Sequence, residues 1–120
     1  MNENDTLSGH LWIKEFPAAV TVCDPEGILL EMNDKAAKGY EKEGGRKLIG
    51  SNMLDCHPDE ARTKTERLLA SRAKNVYTIE KNGIKKLIYQ SPWFKNGQYA
   101  GFVEMSLEIP FGDLPHFIRS

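Results

Sequence analysis

Cysteine is scarce in this sequence. Cys23 and Cys56 are the only two among 120 residues. Two thiols cannot build the disulfide framework of a small secreted domain, and reduced cysteines fit a cytoplasmic setting. No apolar run approaches the roughly 20 residues that a membrane span needs. The opening Met1-Asn2-Glu3-Asn4-Asp5 is acidic and polar, the reverse of a signal peptide. Net charge is almost absent: 16 Lys+Arg face 17 Asp+Glu, a balance of −1. No basic field is therefore available to hold nucleic acid or an anionic lipid surface. Internal repeats and low-complexity tracts are also missing, which excludes solenoids, collagens and coiled coils.

What is present suits one folded domain over residues 1–120. The chain is 40% hydrophobic and 28% charged, with both signs interspersed, too apolar for disorder and long enough for a single core. Helical spacing of Leu7, Leu11 and Trp12 predicts a flanking helix over about 6–16, ended by Pro17. Ala18–Cys23 and Ile28–Met32 read as strands joined by an Asp24-Pro25-Glu26-Gly27 turn. Asn33 or Asp34 is placed to cap a short helix through Tyr40, which Gly44-Gly45 follows. Irregularly spaced apolar residues between Arg46 and Asp55 predict short helical turns. Pro58 suits the first position of a helix of about four turns, with Asp59 and Glu60 favourable at its positive end. Two Asn-Gly pairs, at 82–83 and 96–97, then predict hairpins linking strands over 76–81, 84–94 and 99–109. Strands at both ends of the chain with helices between them imply an α+β fold, an antiparallel sheet with helices packed on one face.

That order of elements resembles the PAS domain, a sensory and interaction module. Four passages carry the resemblance. Phe16-Pro17-Ala18-Ala19-Val20-Thr21-Val22-Cys23-Asp24-Pro25-Glu26-Gly27 looks like its opening strand and turn. Ile28 to Ala37 is similar to its second strand running into an Asn-led helix. Leu48-Ile49-Gly50 through Cys56-His57-Pro58-Asp59-Glu60 resembles its "Leu-Ile-Gly … His-Pro-Glu-Asp" passage, and the two Asn-Gly hairpins complete a five-stranded sheet. The resemblance covers roughly residues 7–109, with a core of about 17–109 and a C-terminal apolar tail at 110–120. It implies a stand-alone sensory or regulatory domain that binds a small molecule and signals through dimer or partner contacts. A ligand-free interaction module is the alternative, and a haem or redox sensor a further one.

Alternation along the fourth and fifth strands nominates Tyr89, Ser91 and Trp93 together with Tyr99, Val103 and Met105 as a ligand-binding wall. Gln90 is the other polar residue of interest there, although only one of Gln90 and Ser91 can point inward. Cys56 and His57, beside a helix start, are a candidate redox pair, or a helix cap with a small core thiol. A metal site is not expected, since no CxxC or HxxxH spacing accompanies them. The identity of any cofactor is open. Flavin photochemistry is disfavoured because Met53 stands where the resemblance would require the adduct-forming cysteine. Haem is disfavoured because Ala61 to Arg72 offers no axial histidine. Catalytic signatures are missing as well: no Gly-x-Ser-x-Gly, phosphate loop or HExxH occurs, so an enzyme is not expected. Carboxylates at Glu31, Asp34 and Glu104 have no evident catalytic partner. Leu7, Leu11, Trp12, Phe111 and Phe117 are the expected contacts of a homodimer or of a separate signalling protein. Their burial would contribute on the order of 10 kcal/mol before entropy is subtracted.

Overall fold

The computed structural model describes residues 11–56 and 59–120, and the side chains of all of these except 55, 56 and 59–61. Five strands form one antiparallel sheet: β1 (Ala19–Cys23), β2 (Leu29–Met32), β3 (Asn75–Lys81), β4 (Ile84–Lys95) and β5 (Gln98–Ile109). Their spatial order is β2-β1-β5-β4-β3, so the first and last strands meet at the centre. The helices are α1 (Leu11–Lys14), α2 (Asp34–Gly39) and α3 (Asp59–Ser71), with three 3-10 turns between α2 and α3. The predicted strands, hairpins and helix cap are all found, with ends displaced by a residue or so. The flanking helix is described only from Leu11, and the Thr6–His10 part of that expectation lies outside the described residues.

Local chemistry explains the connections. Asp24 Oδ1 accepts hydrogen bonds from the backbone N–H groups of Glu26 and Ile28, both at 2.9 Å, closing the β1–β2 turn. Both Asn-Gly loops hold two successive residues at positive φ, with Asn82 at 54° and Gly83 at 77°, Asn96 at 52° and Gly97 at 79°. That is the conformation a two-residue hairpin needs to match the twist of its strands.

Asn33 is the polar centre of the fold, 1% exposed. Its Oδ1 accepts from Val20 N (3.0 Å) and, as the cap of α2, from Ala36 N (3.1 Å). Its Nδ2 donates to the carbonyl oxygens of Ile13 (3.1 Å) and Ala18 (2.7 Å). One side chain thus ties α1, β1 and α2 together. Around it, Leu29, Met32 and Ala36 form one buried cluster, while Cys23, Leu69 and Phe102 form a second where α3 meets the sheet.

Outside this core, Asp34 bonds Lys14 at 3.1 Å and also Arg46. The hydrogen bond from Lys14 is the main reason its carboxyl lies below the usual carboxylate value, with the nearby charges of Lys14 and Arg46 adding to it. A depressed folded-state pKa stabilises the protein above the unfolded value near ~3.9, and the benefit is lost as pH falls through the folded value. Thermal scans between pH 2 and 6 should therefore show a decline below about pH 4 that Asp34→Asn flattens. The step will be small because these side chains are exposed.

Candidate functional site

The register of β4 and β5 decides which side chains face the helices. Beside the hairpin, Lys95 pairs with Gln98 and Phe94 with Tyr99. The register then shifts, so that Trp93 pairs with Gly101 and Ala100 is the extra residue. A one-residue bulge exchanges the two faces of a strand. From there Ser91 pairs with Val103, Gln90 with Glu104, Tyr89 with Met105 and Ile88 with Ser106.

Helix α3 contributes Lys64, Thr65, Leu68 and Leu69 to a cavity of about 660 Å³ whose sheet side carries Thr21, Cys23, Asn75, Tyr77, Gln90, Phe102 and Glu104. A second recess of about 550 Å³ adjoins it under α2 and shares Thr21, Tyr40, Tyr77 and Glu104. The face toward the helices is therefore the parity of Gln90, Phe102 and Glu104. Tyr89, Ser91, Trp93 and Met105 stand on the opposite face, each half-buried. Val103 shares their parity, although it borders the cavity.

Tyr99 alone of the six nominated residues is turned to the helices, although it does not line the cavity. The bulge at Ala100 turns it to the helix side, where its ring packs edge-on to Phe102 at 6.0 Å between centroids. Its hydroxyl donates to Leu69 O at 3.0 Å, and the Arg72 guanidinium lies 4.5 Å above the ring. Tyr99 thus latches the end of α3 to β5. Trp93 is committed structurally as well: its indole N–H donates to Cys23 O at 3.0 Å. It reaches across its pair partner Gly101, where no side chain intervenes.

A chain of side-chain hydrogen bonds crosses the cavity side of the sheet. Asn75 Nδ2 donates to Gln90 Oε1 at 2.8 Å, and Gln90 Nε2 donates to Glu104 Oε1 at 2.7 Å. The sequence marks Gln90 as a polar residue of interest and Glu104 as a carboxylate without an evident partner, and the register brings the two together on one face. Desolvation raises the Tyr77 hydroxyl pKa, and the charge of Glu104 adds to it. Burial likewise raises the Cys23 thiol; the Phe102 backbone hydrogen bond opposes this, and the charges of Asp24 and Glu104 contribute upward. Cys23 is thus held as an inert thiol. In a Cys56→Ser background it should react with a soluble disulfide reagent at pH 8 at least about a hundredfold more slowly than in denaturant, the two rates read from the released thiolate.

His57 and the side chain of Cys56 lie outside the described residues, so the proposed redox pair has no geometry here. Leu7 lies outside them too. Leu11 and Trp12 are 72% and 66% exposed, and Phe111 and Phe117 are 56% and 69% exposed. Among the described residues no group of three or more His, Cys, Asp and Glu could hold a metal ion. Nor, among them, is any helix long and apolar enough to cross a membrane.

No family model matches this sequence, and no curated protein does. Solved structures do resemble the fold. The PAS domain of Bordetella pertussis BvgS superposes with a TM-score of 0.63 at 18% identity, over 89% of this chain and 88% of that one. The Vibrio cholerae Aer2 receptor, described as a dual PAS-heme oxygen sensor, gives 0.54 at 19% identity, covering 78% and 95%. The PAS domain of an HTR-like protein from Haloarcula marismortui gives 0.55 at 15% identity, covering 90% and 100%. The chain has the PAS fold, a five-stranded antiparallel sheet with helices on one face.

Proposed function

We propose that this PAS-fold domain is a non-catalytic sensor that binds a small molecule between α3 and the sheet and passes its state to a second copy of the chain or to a signalling partner in the cytoplasm. The observation that carries this reading is the cavity of about 660 Å³. Its volume lies in the range of small-molecule sites, and it combines an apolar lining with a few polar groups. The cavity draws its sheet side from β1, β3, β4 and β5, and of these β1 and β5 are paired and each leads directly to a flank. A ligand that favours one packing of these strands shifts the flanks by its differential affinity for the two states. Leu11, Trp12, Phe111 and Phe117 supply exposed apolar surface for the contact.

A second reading, a ligand-free interaction module, is favoured by that same exposed surface. Native mass spectrometry of freshly purified protein separates the two. The sensor reading expects a reproducible small adduct above the 13.6 kDa chain mass, lost when Leu68→Trp fills the cavity. A dimer that carries no adduct in either form, and that dissociates when residues 110–120 are removed, supports the interaction module instead.

A further inference from the structure

The chemistry of the cavity narrows its ligand. A carboxylate only accepts hydrogen bonds, so Gln90 must present its amide N–H to Glu104. The Gln90 carbonyl oxygen is then left to accept from Asn75. The network is polarised: an N–H of each amide is directed toward β5, and the chain ends in an anion. Among the described residues Glu104 Oε2 accepts no hydrogen bond. Glu104 is half-buried and lines both recesses, as Tyr40 and Tyr77 also do.

Cations near this anion are committed elsewhere or stand at the edge. Lys64 lines the first recess and Lys38 the second, each from an exposed position on its helix, and Lys35 bonds Glu108 at 3.4 Å and Pro17 O at 3.2 Å. Lys86 faces Glu108 directly across β4 and β5. A half-buried carboxylate with an open oxygen and aromatic neighbours is complementary to a positively charged N–H donor.

Building on the sensor reading, we propose that the cavity takes a small compound carrying a cationic nitrogen, an amine or amidine, whose N–H groups bond Glu104. Benzamidine is a suitable probe, with benzamide and benzoate as its neutral and anionic isosteres. Titration calorimetry on the intact chain should show benzamidine binding more tightly than either isostere. Glu104→Gln should weaken it by about ten- to a hundredfold, the loss of one charge-assisted hydrogen bond. The same variant should leave benzamide within about threefold of its original affinity, inside the spread of a neutral hydrogen bond. The preference among probes on the unmodified chain decides the matter even if that variant folds poorly. Equal binding of all three, or benzamidine binding that survives Glu104→Gln, overturns the cationic class while leaving a cavity that binds ligands. No binding by any probe overturns the proposal, and with no adduct in the native mass it overturns the sensor reading beneath it.

Discussion

Replacing Gly101 with alanine should unfold this domain or lower its Tm by roughly 15 °C or more, a loss of about 4 kcal/mol or greater. Gly101 has φ +132°, a backbone region that L side chains rarely adopt. A Cβ placed there would overlap the Cys23 carbonyl oxygen and stand 2.7 Å from its carbon and 2.8 Å from the Asp24 carbonyl carbon. All three are backbone atoms, so no rotamer change relieves the overlap, and β1 must separate from β5. The same displacement removes the acceptor of the Trp93 indole N–H. Gly39 provides the control. It ends α2 with nothing within 4 Å of a built Cβ. Gly39→Ala should therefore be neutral or stabilising by up to about 1 kcal/mol. Thermal and urea denaturation followed by circular dichroism measure both, and a Gly101→Ala protein as stable as the native one would contradict the close approach described here.

The second large effect is expected at Asn33. Asn33→Ala abolishes four hydrogen bonds in a site that water does not reach. It strands the N–H groups of Val20 and Ala36 and the carbonyl oxygen of Ala18, while the Ile13 carbonyl oxygen keeps the bond from Phe16 N. With about 1–3 kcal/mol for each buried group left unpaired and some relaxation, the loss should be roughly 4 kcal/mol or more. Asn33→Asp distinguishes hydrogen bonding from helix capping, because it keeps both accepted bonds and places a carboxylate against the two carbonyl oxygens. At neutral pH it should be about as damaging as alanine. The introduced carboxyl has a raised pKa in the folded state, so stability should partly recover as pH falls and the proton restores a donor. A urea midpoint for Asn33→Asp that is native-like at pH 7 would show the carbonyl contacts to be dispensable.

The strands, hairpins and the Asn-led cap were legible in the sequence because each rests on local chemistry: turn residues, a capping side chain, periodicity. The face of the sheet was not. Along β5 the apolar residues Val103, Met105 and Leu107 share one parity, and Phe102, Glu104 and Ser106 the other. Apolar content alone points the first set toward the core. The structure turns the second set to the helices because a cavity, unlike a packed core, accommodates an amide and a carboxylate. The bulge at Ala100 has no marker in composition, yet it separates Tyr99 from the residues that share its parity. Nothing local in the sequence marks Gly101. Its close approach to Cys23 depends on strands more than 75 residues apart in the chain.

The pairing of β1 with β5 also fixes how the domain bears mechanical load. Ala19 lies opposite Ser106, so the chain enters β1 and leaves β5 at the same end of an antiparallel pair. Tension between the two flanks would open that ladder like a zipper, one backbone bond after another, rather than shearing all of them together. The β1–β5 seam is thus the part most easily parted by a small pull on its ends, and a slight separation of the flanks would be felt first at Ala19 and Ser106, two pairs before Thr21 and Glu104.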